Sequence, residues 1–326
     1  MDRLVSMLRA AGDPTRLRLL LLLRQAELTV SELIEIVGQS QPRVSRHLKL
    51  LGEAGLVERF KEGSWVFCRA ADRGTGAELG AAIAALADPA LQEADKARLA
   101  HVRQVRANAA AAYFKSNAAE WERIRALHAP ERDVENAIAR RLTSTPIHNF
   151  LDAGTGTGRM LELIAPHSAR AVGIDVSPDM LAIARDRLLR ENIRNAQVRL
   201  GDIYRLPFSS GGADNNKAGF DVVLFHQVLH YLDDPGSAVA EAARVMAPGG
   251  RLLIADFAPH KEEFLRDEFA HRRLGFSDRE VEGWFSAAGL ADAGSETIAP
   301  QAEGEKLTVK LWLATAKAPR SRKEAA

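Results

Sequence analysis

Residues Phe150-Leu151-Asp152-Ala153-Gly154-Thr155-Gly156-Thr157-Gly158 read as a buried strand running straight into a glycine-rich turn, and the amphipathic run from Arg159 to Ala165 supplies a helix behind them. Alternating glycines let the backbone take positive φ and approach a bound molecule with no Cβ in the way. The N-terminus of the following helix turns its free N–H groups toward that molecule. Turns of this composition also arise for purely structural reasons, so the nonapeptide alone leaves both readings open. The next segment favours a ligand. Ala171-Val172-Gly173-Ile174 is a short apolar strand ending at Asp175, which puts a carboxylate where it accepts hydrogen bonds from both hydroxyls of a ribose.

Dinucleotide-binding turns share this geometry but prefer G-x-G-x-x-G, whereas Asp152 to Gly158 is D-x-G-x-G-x-G. That pattern resembles motif I of the class I S-adenosylmethionine-dependent methyltransferases. The resemblance continues in order through Gly201-Asp202-Ile203, Phe220 to Leu224, His226 to Tyr231, and Pro248-Gly249-Gly250. It implies that Asp152 pairs with the cofactor's ammonium, directly or through water, and that Gly154, Gly156 and Gly158 admit the cofactor to the backbone. Asp175 then takes the ribose, and Asp202 with Ile203 the adenine. For Asp175 and Asp202 the structural alternative is a helix cap.

The fourth strand, Phe220 to Phe225, delivers His226 into the crevice where ligands of open α/β sheets bind. His226 faces cofactor or acceptor there, and an imidazole is a candidate general base. Many methyl transfers need no base, since sulfonium is a good leaving group and alignment does most of the work. His230 follows by four, on the same helical face if the strand leads directly into a helix. No third ligand accompanies the pair, so no metal is expected. Upstream, Tyr113, Phe114 and Trp121 lie on a helical stretch continued by Ile124 and Leu127. In similar methyltransferases this segment covers the cofactor cleft, so Tyr113, Trp121 and His230 are candidate acceptor contacts; core packing is the bland reading of the aromatic stripe.

With 326 residues, 46% hydrophobic and 27% charged, the chain has room for two soluble domains. A net charge of +1 gives no global field toward nucleic acid or membrane, so any electrostatic footprint is local. The single cysteine, Cys68, excludes an intrachain disulfide and a multi-cysteine metal cage, and fits a reducing cytoplasm. Leu19 to Leu23 is too short to span a bilayer and reads as a buried helix.

The first third reads as a separate module. Asp13 and Pro14 start a helix whose Leu17, Leu20, Leu21 and Leu23 point inward. A second helix, Val30 to Val37, is ended by Gly38. Ser40 caps a third, beginning Gln41-Pro42, with Val44, Leu48 and Leu51 as its core stripe. Its other face offers Gln41, Arg43, Ser45, Arg46, His47 and Lys49 to base edges and phosphates, as in a helix-turn-helix. Leu56 to Phe60 and Trp65 to Arg69, around a Gly63-Ser64 turn, form a hairpin wing from which Arg59 and Lys61 reach flanking phosphates. A solvated basic surface is the alternative.

This region resembles the ArsR/SmtB winged-helix repressors over about residues 1–99, through Asp13 to Leu17, Glu27 to Leu33 and Ser40 to Leu51. The resemblance implies a homodimer on double-stranded operator DNA, released by an inducer. Metal-sensing members carry cysteines where Thr29 and Ser31 stand here. Hydroxyls are poor ligands for soft metals, so metal sensing is not expected. Cys68 reads as an inward-facing small residue of the wing. Between Arg73 and Ala112 the chain turns alanine-rich, with helices at Gly80 to Ala87 and Leu91 to Ala112; Leu79, Ile83 and Leu86 argue for a buried face there.

Further on, Ser209 to Gly219, with Gly211-Gly212 and Asn215-Asn216, reads as an enlarged loop. Ala247 to Gly250 reads as a turn before a strand at Leu252 to Ala255. A charged helix is expected at Glu262 to Leu274, its His271, Arg272 and Arg273 either binding an anionic acceptor or pairing with Glu268. Asp278 to Ala288 and Leu307 to Leu313 supply a closing helix and an antiparallel last strand.

The expected architecture is α/β: a winged helix-turn-helix followed by a Rossmann-like class I methyltransferase domain with a mostly parallel seven-stranded sheet and one antiparallel strand. Expected boundaries are 1–99, a helical connector and cleft cover at 100–145, the S-adenosylmethionine-binding domain at 146–316, and a polar tail at 317–326. The expected function is a cytoplasmic, homodimeric DNA-binding regulator that methylates a small molecule, or senses S-adenosylmethionine and S-adenosylhomocysteine to control operator binding, or both, without membrane contact. The alternative is a stand-alone small-molecule methyltransferase whose winged helix serves dimerisation or protein binding. An arsenite methyltransferase is disfavoured, because such enzymes rely on several cysteines.

Overall fold

A computed structural model describes residues 2–62, 65–71, 74–121, 123, 130–210, 219–300 and 307–317. Contacts divide the chain into two units, Met1–Ala109 with Lys261–Glu263, and Ala110–His260 with Phe264–Ala326. The Gly63-Ser64 turn, Ile124, Leu127, the loop residues Gly211, Gly212, Asn215 and Asn216, and the tail from Pro319 lie outside the described residues.

In the first unit, α1 (Asp2–Ala11) precedes α2 (Pro14–Leu23), whose N-cap Asp13 accepts a hydrogen bond from the Arg16 N–H. That bond holds the Asp13 carboxyl below its ordinary pKa. Leu19 to Leu23 are all buried, whereas Leu17 is half-buried. A two-residue strand absent from the sequence reading, β1 (Leu28–Thr29), leads into α3 (Val30–Val37). Thr29 and Glu32 close a reciprocal capping box at the start of α3, and Gly38 ends it in the left-handed conformation. Ser40 occupies the N-cap position of α4 (Gln41–Glu53) without a side-chain capping bond. β2 (Val57–Glu62) and β3 (Trp65–Ala70) form the hairpin, and β1 joins β3 to give a three-stranded sheet in the order β1-β3-β2. Cys68 is fully buried in β3, and burial pushes its thiol up to about 11. It packs inward with Leu33, Val44, Leu48 and Leu51.

The alanine-rich helices begin earlier than composition suggested and the second runs further: α5 is Gly74–Leu86 and α6 is Pro89–Asn117. Leu79 and Ile83 of α5 pack on the core, but Leu86 is 87% exposed, which corrects its placement on a buried face. Leu99 and Val102 of α6 complete this core, and Asp95 pairs with Arg18 at 2.7 Å.

The second unit is built on one sheet. After the last turns of α6 and a 3-10 turn at Ala118–Glu120 come α7 (Glu131–Leu142), β4 (Ile147–Ala153), α8 (Arg159–Ile164), β5 (Ser168–Asp175), α9 (Pro178–Arg190) and β6 (Ala196–Leu200). Then follow β7 (Phe220–His226), α10 (Pro235–Val245), β8 (Met246–Phe257), α11 (Phe264–Phe269), α12 (Asp278–Ala287), β9 (Ala291–Ile298) and β10 (Val309–Thr315). The strand order is β6-β5-β4-β7-β8-β10-β9, and only β10 runs antiparallel to its neighbours. Successive side chains of a strand point to opposite faces, so apolar runs here feed two cores. Leu151, Val223 and Phe225 meet α10 and α12 on one side, while Phe150, Val222 and Leu224 meet α7 and α8 on the other.

Two expectations change. β8 starts at Met246 and carries Ala247 to Gly250 as an irregularity, the pairing with β7 jumping from Phe220↔Met246 to Val222↔Arg251. The charged helix is only the six residues of α11, and His271 to Arg273 lie beyond it as a buried irregular segment. Arg272 pairs with Asp233 at 2.7 Å and Arg273 with Glu280 at 3.0 Å, so Glu268 is not the partner. His271 stacks on Phe257 at 5.7 Å between ring centroids, and the N–H groups of Arg272 and Arg273 bond the His230 carbonyl, which ties the segment to the end of the sheet.

Candidate functional site

The sheet reverses its winding at β4, whose neighbours β5 and β7 leave by helices in opposite directions, and the crevice at the C-terminal ends of these strands is where an open α/β sheet binds ligand. Gly154, Gly156 and Gly158 sit there with φ of +83°, +52° and +81°. The turn is pinned to β5: the N–H groups of Gly154 and Thr155 both reach the Ile174 carbonyl, at 2.8 and 2.9 Å. A Cβ on Gly154 would stand 2.5 Å from Cγ2 of Val228. Gly154→Ala combines that clash with an unfavourable φ and is expected to cost the second unit about 1–3 kcal/mol, read as a lowered unfolding temperature; an unchanged temperature would contradict the packing.

Asp152 is buried at the end of β4, and its Oδ2 accepts a 2.6 Å hydrogen bond from the Thr155 hydroxyl. Asp175 closes β5. Its Oδ2 accepts from the Gly156 N–H and its Oδ1 from the Ser177 N–H, each at 2.9 Å. Burial pushes its carboxyl above the ordinary range, against the opposing pull of the N–H groups of Ser177, Gly156 and Val176. It is not the helix cap; Ser177 takes that position for α9 and accepts from Met180. Asp202 is exposed just beyond β6, with Oδ1 accepting from the Tyr204 N–H, and Ile203 behind it is buried in the core.

His226 is the last residue of β7 and is buried. The chain does not run on as a helix: Gln227 takes φ +49°, its N–H bonding the Ala255 carbonyl, and Leu229–Tyr231 form a 3-10 turn. His226 and His230 therefore do not share a helical face. Among the described residues no group of three or more His, Cys, Asp or Glu side chains could hold a metal ion.

Tyr113, Phe114, Trp121 and Tyr231 form an aromatic cluster, with Phe114 4.9 Å from Tyr231 and 5.4 Å from Trp121 between ring centroids. A Cβ on Gly156 would lie 3.6 Å from Nε1 of Trp121, so the cluster stands over the glycine turn. Burial pushes the Tyr113 phenol up to about 12. Asp256, missed in the sequence, is the last residue but one of β8, fully buried, and accepts from the N–H groups of Leu229, His230 and Phe257, with Nδ1 of His230 2.7 Å from its Oδ1. An aspartate after an apolar strand is the signal that singled out Asp175, and Asp256 stands in the same relation to Leu252 to Ala255.

In the first unit, Gln41, Arg43, Arg46 and Lys49 are exposed on α4 and Arg59 and Lys61 on β2. Ser45 and His47 are half-buried, and His47 turns Nδ1 toward Asp13 at 3.8 Å. Lys49 lies 3.8 Å from Glu53, both exposed, so solvent screens that pair. The exposed part of this face of α4 is thus Gln41, Arg43, Arg46 and Lys49, with Ser45 and His47 partly covered.

Residues 13–59 match the bacterial regulatory proteins of the arsR family, and residues 151–254 match a methyltransferase-domain family. An uncharacterised protein of transposon TN4556 from Streptomyces fradiae is 36% identical over 128 residues, 38% of this chain and 34% of that protein. Demethylmenaquinone methyltransferase of Tropheryma whipplei is 34% identical over 129 residues, 40% of this chain and 49% of the relative. The ubiquinone biosynthesis O-methyltransferase of Methylococcus capsulatus is 30% identical over 146 residues, covering 44% and 58%. This chain therefore spans about a third to three fifths of these relatives. Among solved structures, a methyltransferase in complex with the Trm112 activator of Haloferax volcanii superposes with a TM-score of 0.53 at 21% identity, covering 65% of this chain and all of that one. The shared feature is the fold.

Proposed function

Because this chain carries an arsR-type helix-turn-helix domain and a methyltransferase domain in one polypeptide, we propose that it is a DNA-binding regulator whose second unit binds S-adenosylmethionine and methylates a small molecule. The observation that carries the cofactor assignment is the glycine turn whose Gly156 N–H is tied to the Asp175 carboxylate at the switch point of the sheet. These residues fit the cofactor. The turn offers backbone where a Cβ would intrude, and Asp175, pushed up by burial, gains from the hydroxyl donors of a ribose. Asp152 supplies a carboxylate for the ammonium, and Asp202 an acceptor for the adenine amine. When bound, the cofactor supplies an electrophilic methyl group.

The regulatory arm rests on Arg43 and Arg46 of α4 and on Arg59 and Lys61 of the wing, directed at double-stranded operator DNA by a homodimer. Hydroxyls at Thr29 and Ser31 leave the winged helix without the thiolates of its metal-sensing relatives. Control by ligand therefore falls to the second unit, with S-adenosylmethionine or S-adenosylhomocysteine setting operator affinity. Isothermal titration of the full chain with both ligands tests the cofactor assignment: saturable binding at one site per chain is expected, and none would remove it. Among the described residues no helix is long and apolar enough to cross a membrane.

A further inference from the structure

The segment that carries Asp202 and Ile203 beyond β6 has little pairing of its own. Among the described residues it forms one isolated bridge, Asp202 with Arg205, and its apolar anchors are Ile203, Leu206 and Phe208. Asp202, Tyr204, Arg205 and Pro207 lie between these anchors and are exposed. A slip of one residue would therefore exchange the exposed Asp202 with the buried Ile203.

Polar ties from α10 fix the register. Oε1 of Glu241 accepts the Leu206 N–H at 2.7 Å. The Arg244 guanidinium donates through Nη2 to the Leu206 carbonyl at 3.1 Å and through Nη1 to the Phe208 carbonyl at 2.8 Å. The two side chains are locked to each other, Nε to Oε2 and Nη2 to Oε1, both at 2.7 Å. One carboxylate and one guanidinium thus satisfy a backbone donor and two backbone acceptors, as a neighbouring strand would. The bond from Arg244 holds the Glu241 carboxyl below its ordinary pKa, so the pair stays ionised at neutral pH. At the start of α10, the N–H of its N-cap Asp234 donates to the Tyr204 hydroxyl at 3.0 Å. The Gly201 N–H reaches the Asp175 carbonyl, also at 3.0 Å, which joins the segment to the residue proposed for the ribose. Within the segment, Oδ1 of Asp202 accepts the Tyr204 N–H at 2.9 Å, which leaves Oδ2 to a ligand.

We propose that Glu241 and Arg244 are positioning residues for the adenine base: by clamping the backbone at Leu206 and Phe208 they hold the Asp202 carboxylate where it tells an exocyclic amine from a carbonyl. The inference rests on the assignment of Asp202 to the adenine amine. A carboxylate only accepts, so it gains a hydrogen bond from that amine and opposes the carbonyl that hypoxanthine carries in its place. The discrimination requires a carboxylate fixed in advance, because an exposed aspartate on a loose segment turns away from the carbonyl at little cost. Neither Glu241 nor Arg244 touches the ribose or amino-acid residues of the site, so their loss acts on the choice of base. A clamp that served folding alone would change the affinity for both bases alike.

The test titrates the full chain with S-adenosylhomocysteine and with S-inosylhomocysteine, whose base is hypoxanthine. The wild type is expected to prefer the first by about ten- to hundredfold, the size of one hydrogen bond to a charged group. In Glu241→Ala, S-adenosylhomocysteine should weaken until the preference is about threefold or less, while S-inosylhomocysteine keeps its wild-type affinity. Arg244→Lys retains a charge for Glu241 but not the fork that spans two carbonyls, and should lose the preference likewise. The Arg244 side chain is 33% exposed, so this variant serves if Glu241→Ala does not fold. A wild-type preference in the folded variants, or an equal fall for both ligands, overturns the proposal. A wild type that binds the two alike removes Asp202 from the adenine, and the proposal with it. Failure of S-adenosylhomocysteine itself to bind overturns the wider cofactor reading instead.

Discussion

Asp175→Ala is expected to weaken S-adenosylmethionine binding by about a hundredfold or more while leaving the second unit folded. Hydrogen bonds to a charged group contribute about 1.5–3 kcal/mol each, so two ribose hydroxyls on one carboxylate amount to about 3–6 kcal/mol, a hundredfold to ten-thousandfold effect. The variant also frees the Gly156 N–H that Asp175 holds at 2.9 Å, so the glycine turn loses its tie to the end of β5. Folding should survive, because the bonds from Gly154 and Thr155 to the Ile174 carbonyl remain and the apolar cores on both sides of β5 are untouched. Isothermal titration measures the affinity and hydrogen exchange at β4 and β5 reports the fold. Wild-type affinity in this variant would remove Asp175 from the site.

Arg46→Ala makes the matching statement for the winged helix. Its guanidinium is exposed on α4 between buried Val44 and Leu48, so truncation leaves the core alone. Operator affinity should fall about 5- to 150-fold, equivalent to about 1–3 kcal/mol for a bidentate contact to a base edge. S-adenosylmethionine affinity should not change. A salt titration separates the two possible contacts: loss of a phosphate contact lowers the slope of log affinity against log salt by about one, whereas loss of a base contact relaxes sequence preference. Equal loss of DNA and cofactor binding would place the effect on folding.

Much of the second unit was legible because its signals are local. A strand, a positive-φ glycine turn and an acidic residue closing the next strand each follow from a few adjacent residues, and β4, β5 and β7 lie where those patterns put them. The same holds for Asp13, Gly38 and the α4 core stripe. What failed depends on contacts distant in sequence. His271 to Arg273 read as one side of a charged helix because their partners, Asp233 and Glu280, and the His230 carbonyl are not visible in the local pattern. The pairing of His230 with Asp256 spans 26 residues and two strands. Leu86 was misplaced for the opposite reason: helical spacing gives a face, but only packing decides whether that face is covered.

The union of the two units in one regulator is tested most directly by fluorescence anisotropy of the full chain on DNA from its own upstream region, with nonspecific competitor, run without ligand, with S-adenosylmethionine and with S-adenosylhomocysteine. Operator affinity is expected to differ between the two ligands, by roughly 5- to 150-fold if the coupling is of ordinary size. Identical affinity in all three conditions would contradict control of DNA binding by the second unit and leave the cofactor to chemistry alone.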